Sequence, residues 1–172
     1  MGQPPGCQRF PKLLSGRRAG APTPNILYKE WIETHSVATD TVVLSSYKIG
    51  DEEERGGGEG MYQFPEGASV EPGGVIVVAL KATGFYALYG FNPDFECSDT
   101  DPDMVRYAAW ASGSIRLGND GDEVLLLDET DVPVDVVTYG TGDYPPSWRV
   151  RGPLPGALLP RPGHRRLQPG LC

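Results

Sequence analysis

The stretch "GDEVLLLDETDVPVDVVTYG", from Gly121 to Gly140, limits the fold more than any other part of the chain. "EVLLLD" is a dry run, "PVDVVTY" alternates, and the polar "ETDV" stands between them. A dry run joined by a short polar turn to an alternating one reads as a central strand and its antiparallel partner. In the second run Val134, Val136 and Thr138 face one way, and Asp135, Val137 and Tyr139 the other. The preceding "LGNDGD" supplies Gly118, Asn119 and Gly121, which tolerate left-handed or tightly turned backbone. Nothing here has the look of a reaction centre, so the pattern describes an architecture first.

The same grammar recurs along the chain. "YKEWIET" alternates Tyr28, Glu30 and Ile32 against Lys29, Trp31 and Glu33, and "TVVLSSYKI" puts Val42 and Leu44 on one face. "VIVVALK" is apolar enough to be buried on both faces. "MYQFP" is short, "SIRL" reads as a short strand, and Pro72-Gly73 suits the centre of a type II turn. In "TGFYALYGF" Phe85, Leu88 and Tyr89 fall at i, i+3, i+4, which predicts one short helix bounded by glycines. "GDEEERGGGEG" reads as an exposed loop with nothing to bury, "NPDFECSDTDPD" as loop, and "MVRYAAW" fits either regular structure. About seven or eight short strands parted by turns predict an all-β sandwich. The missing Cys…Trp…Cys pattern argues against an antibody-type domain.

Charge divides the chain. All 23 acidic residues lie between Glu30 and Asp143, with only Lys48, Arg55, Lys81, Arg106 and Arg116 for company, a net charge of −18. The flanks hold no acid and carry +5 each. Three regions follow: residues 1–25, a disordered basic extension; residues 26–146, the β domain; and residues 147–172, a disordered Pro/Arg/Gly-rich tail. The acidic centre would repel phosphates, so no nucleic acid is expected on it. No apolar run reaches the roughly 20 residues of a membrane helix, and the start lacks the apolar core of a secretory signal.

Chemistry finds few candidates. His35 and His164 are the only histidines, one in a turn and one in the tail, so no Ser-His-Asp or Cys-His arrangement can be assembled within the domain. Cys7, Cys97 and Cys172 are odd in number and widely spaced, which is neither a disulfide framework nor a zinc site. Glycosidase-type catalysis needs a desolvated carboxyl, and these acids read as marking turns and outer faces. The expectation is no enzyme and no cofactor. Asp99, Asp101 and Asp103 in "SDTDPD" alternate as calcium ligands do, although the EF-hand pattern would want Gly and Glu where Met104 and Trp110 stand. A solvated acidic loop is the plainer account of them. Tyr62, Phe64, Phe85, Tyr86, Tyr89, Phe91, Tyr107 and Trp110 offer a sugar-binding or partner-binding platform, against core packing as the simpler role.

Taken in order, "EWIET", "VVLSSYKIGD", "YQFPEGASVEPGGVIVVA", "YG", "LGNDGDEVLLLD" and "VDVVTYG" resemble the lamin tail domain in its bacterial form, over roughly residues 28–142. The resemblance implies an immunoglobulin-like β-sandwich with one short helix and disordered basic flanks. It also implies a module of secreted or surface proteins with no conserved active site, so the partner would be an unknown protein or surface polymer and the location extracellular or cell-surface. Glu30 and Glu33 flank Trp31 and Ile32 as a charged outer face beside an apolar inner one. The chain departs from the family pattern twice: "GAPTPNIL" offers only a stub where a first strand belongs, and everything after Pro146 is Arg, Pro, Gly and Leu. Three readings result: a non-catalytic tethering module, a calcium-binding adhesion-type module using residues 99–103, and a truncated or frame-shifted fragment of a larger multidomain protein.

Overall fold

The computed structural model describes residues 30–143 in full and the backbone of residues 12–16. In chain order the elements are β1 (Lys12–Gly16), β2 (Trp31–His35), β3 (Val42–Val43), β4 (Lys48–Gly50), β5 (Met61–Gln63), β6 (Ser69–Val70), β7 (Val75–Lys81), α1 (Ala82–Tyr89), β8 (Phe95–Ser98), β9 (Val105–Arg106), β10 (Gly121–Leu127) and β11 (Pro133–Gly140). A four-stranded sheet runs β1-β2-β7-β8, a five-stranded sheet runs β11-β10-β4-β5-β9, and β3 pairs with β6. The expected all-β sandwich with one short helix is what forms.

The two driest strands explain the layering. From β7, Ile76, Val78 and Leu80 enter the core shared by both sheets, beside Ile32 of β2 and Val124 and Leu126 of β10. Its opposite face carries Val77 and Ala79, which α1 covers with Phe85, while Trp31 and Tyr89 pack alongside. Strand β10 repeats the arrangement: Leu125 and Leu127 face away from the central core and meet Met61, Trp110 and Ala111. Each central strand is therefore buried on both faces, which is why neither sequence alternates. Helix α1 ends where Gly90 takes φ +77° and its N–H donates to the carbonyl of Tyr86 at 2.8 Å.

The register of the opening hairpin follows the sequence, with Val124 opposite Val137 and Leu125 opposite Val136. Other expectations need correction. A strand, β1, lies inside the segment read as disordered extension, and it pairs antiparallel with β2, Lys12 opposite His35. The first described strand is thus "KLLSG"; hydrogen bonding to the free side of β2 outweighs the weak local pattern. The rest of both flanks lies outside the described residues. "FECS", read as loop, forms β8 parallel to β7. "SIRL" forms no strand, and "TVVLSSYKI" breaks at a turn in which the N–H of Tyr47 donates to the carbonyl of Leu44. Positive φ is absent from Gly118, Asn119 and Gly121. Gly121 is needed for close approach instead, since a Cβ there would lie 2.1 Å from the backbone nitrogen of Thr141.

Candidate functional site

The acids of this chain are not confined to turns and outer faces: Glu30, Asp51, Glu52, Glu96, Asp122 and Glu123 are all buried. The reason is visible in their partners. Asp51 accepts from the N–H groups of Gly60 at 2.7 Å and Arg116 at 2.6 Å. Glu52 accepts from Glu54 and Glu59, Asp122 from Gly118, and Glu30 from Leu117 at 3.2 Å. Loops between strands carry backbone donors that the ladders leave unpaired, and a carboxylate with two oxygens can take two of them. "GDEEERGGGEG" therefore buries its first two acids and turns them on the loop's own backbone. Glu30 belongs to the interior, while its neighbour Trp31 lies under α1.

Crowding these acids perturbs them. Burial pushes Asp51 up to about 7, ahead of the opposing hydrogen bonds from Arg116 and Gly60 and the added repulsion of Asp122. Burial also pushes Glu123 up to about 8, aided by a hydrogen bond to Glu53 and the charges of Glu53, Asp122 and Glu59. Glu59, exposed as a residue, turns its carboxyl toward this group and rises to about 7 through desolvation and the fields of Asp51 and Asp122. The expectation that no carboxyl is desolvated is corrected accordingly. Carboxylate oxygens of Glu52, Glu53 and Glu59, and of Glu59, Asp122 and Glu123, lie within 4.8 Å of one another. That is oxygen chemistry suited to a hard cation, but Glu52 and Asp122 already accept backbone N–H groups, and Glu123 shares a hydrogen bond with Glu53.

Asp99, Asp101 and Asp103 follow different paths. Asp99 accepts from the hydroxyl and N–H of Thr83 in the first turn of α1, and that hydroxyl bond, with a further contribution from Lys81, holds its carboxyl below the usual range. Asp103 accepts from the N–H of Glu96 at 2.8 Å, on the outer side of β8. Asp101 is exposed, and its N–H donates to Glu96. Glu96 also takes the N–H of Ala82 at 3.0 Å. The loop caps the start of α1, 16 residues back, and the edge of the strand that immediately precedes it.

A concave feature lies where both sheets end. Strands β8 and β9 are the outermost strands of their sheets, and between them runs a cleft of about 660 Å³. Leu80, Met104, Val105 and Ile115 supply apolar wall, while Lys81, Arg106 and Arg116 supply charge. Cys97 also lines it, with burial and the neighbouring acids Asp103, Asp51 and Glu96 pushing its thiol far above its ordinary value. A neutral thiol is no nucleophile. Lys48 and Arg55 are elsewhere, both paired to Asp131, with Lys48 at 2.8 Å. Sequence reading missed the cleft because its residues come from β5, β7, β8, β9 and the segment 114–116, and no local pattern unites them.

Of the aromatic candidates, Tyr62, Phe64, Phe85 and Trp110 are buried and serve packing, whereas Tyr86 and Phe91 are 54% and 56% exposed. His35 ends β2, opposite Val75. No helix among the described residues is long and apolar enough to cross a membrane. No curated protein matches the chain. A family model described as Lamin Tail Domain matches residues 15–141, from within β1 to one residue past β11.

Proposed function

Because the chain belongs to the lamin tail domain family, we propose that it is a non-catalytic binding module, acting at or outside a bacterial cell surface and tethering a neighbouring activity to a protein or surface polymer. An immunoglobulin-like sandwich fits such a task, since its rigid sheets hold edges and loops in a fixed relation for a partner to meet. One observation carries the reading. The desolvated carboxyl of Asp51 takes two backbone N–H groups and is fully buried, while the cleft at the sheet edges is lined by apolar and cationic groups. A general acid or base must reach its substrate. Asp51 and Glu123 belong to the fold's interior, Glu59 turns its carboxyl onto that acidic group rather than into a cleft, and the accessible surface is suited to binding.

A fluorescent-protein fusion of the chain, incubated with intact cells and cell extract of its source, tests this. Saturable retention is expected, unchanged by a His35→Ala, Cys97→Ser double substitution. A fusion that stays wholly unbound, or a catalytic activity that the double substitution abolishes, would overturn it.

A further inference from the structure

Five basic residues stand in the stretch from Glu30 to Asp143, against 23 acidic ones. Lys48 and Arg55 pair with Asp131, and Lys81, Arg106 and Arg116 all line the same cleft between β8 and β9. In a domain of this charge, scattered bases would sit among acids. Their convergence needs a reason.

Each is positioned by the fold. The guanidinium of Arg106 donates to the carbonyls of Ser112 and Gly113 and to the hydroxyl of Ser114, and it lies over the ring of Tyr62, 5.6 Å from its centre. Neutral acceptors orient that group without cancelling its charge. Arg116 has its backbone fixed by Asp51 at 2.6 Å, and its side chain is exposed. Lys81 ends β7 near Asp99, whose field it shares, so the two arginines give the site most of its positive character. Two acids beside the cleft do not compete for it: Glu96 and Asp103 aim oxygens at backbone N–H groups of Ala82, Asp101 and Glu96 itself.

The edge itself adds a second feature. Arg106 stands opposite Tyr62, while the N–H of the following Tyr107 donates to the carbonyl of Met61 at 2.8 Å. In an antiparallel ladder that pattern turns the N–H and C=O of Arg106 away from β5, toward the open edge. An added strand could pair there, its alternate side chains entering the cleft.

We propose that this cleft receives an extended acidic peptide segment of a partner protein, its backbone beside β9 at Arg106 and its carboxylates meeting Arg106 and Arg116. The inference rests on the binding-module reading and names its partner class. A dense polyanion is a poorer fit, because the surrounding net charge of −18 repels it while a sparse row of carboxylates meets only the local cations. Leu80, Met104, Val105 and Ile115 suit the aliphatic residues that would alternate with those acids.

The test uses the full chain and a short fluorescein-labelled peptide of alternating glutamate and valine, followed by anisotropy. Saturable binding is expected, weakened about tenfold by Arg116→Glu with an unchanged melting temperature, and weakened by added salt. Amide shifts in the 15N-labelled chain should centre on Tyr62, Ser98, Arg106 and Ser114 to Arg116. Absence of binding up to about 1 mM peptide, indifference to Arg116→Glu, or shifts centred elsewhere would overturn the assignment. So would preferential binding of dextran sulfate or oligothymidylate, which would make the ligand a polyanion. Loss of peptide binding with saturable retention of the fluorescent fusion removes the cleft assignment alone; loss of both removes the module as well.

Discussion

Asp51 holds the backbone N–H of Arg116 at 2.6 Å, although 65 residues separate them in the chain. Its other oxygen takes the N–H of Gly60 at 2.7 Å, so one buried carboxyl fastens two loops to the end of β4. The same bond sets the backbone from which the Arg116 guanidinium reaches the cleft. Replacing Asp51 by Ala strands two buried donors and is expected to cost about 2–4 kcal/mol in urea unfolding. Asp51→Asn keeps one acceptor and should cost about half as much. A loss within error for Asp51→Ala would mean that the loops hold themselves.

Trp31 ties α1 to the sheet. Its ring meets Phe85 and Tyr89 edge-on at 6.1 and 5.9 Å, and its indole N–H donates to the Tyr89 hydroxyl at 3.1 Å. Trp31→Ala is expected to destabilise by about 2–3 kcal/mol, and Trp31→Phe by about 1 kcal/mol, because a ring is retained. Equal losses for the two would place the energy in the hydrogen bond.

Asp103 caps the outer edge of β8 through the N–H of Glu96. Asp103→Ala should therefore cost about 1 kcal/mol in EDTA and in millimolar calcium alike. A cost that appeared only with calcium present would assign the loop to a metal.

Cys97 is a buried, un-ionised thiol. In a Cys7→Ser, Cys172→Ser background it is expected to resist a disulfide reagent in the native chain at neutral pH and to react fully in denaturant. Fast native labelling would require the β8 side of the cleft to open.

Much of the fold was legible because it depends on local pattern. The dry runs of β7 and β10, the polar turn after Leu127 and the glycine that ends α1 all declare themselves within a few residues. Strand β8 did not, because Asp94 precedes it and Glu96 interrupts its apolar residues; both acids bind backbone groups, Asp94 taking the N–H of Val77 at 2.8 Å. Strand β1 was hidden for a similar reason, since what defines it is the free side of β2. The cleft was illegible in principle. Tyr62 and Arg116 are brought together because Asp51, at the end of β4 beside β5, holds the segment that carries Arg116, and a sequence scan sees only a lone tyrosine and a lone arginine. The acids misled most, since a buried carboxylate and a solvated one look alike until the loop that needs it is in place.

The central claim is that the carboxyls of Asp51 and Glu123 are built into the interior of the fold and that Glu59 turns its carboxyl in toward them, and the pH dependence of stability tests it most directly. These groups hold protons more tightly folded than unfolded, with values near 7, 7 and 8 against ordinary ones of 3.8, 4.5 and 4.5. Between those limits the folded chain binds more protons, so stability must fall as pH rises through that window. Asp131 works in the opposite sense: despite its partial burial, Lys48 and Tyr107 hold it low, so its contribution is present above its ordinary value and lost as pH falls below it. Urea unfolding from about pH 4.5 to about pH 8.5 should therefore show greatest stability near the acid end and a steady decline toward the alkaline end. Glu123→Gln should flatten the upper part of that decline. A profile that is flat or rises with pH, or one that Glu123→Gln leaves unchanged, would contradict the claim.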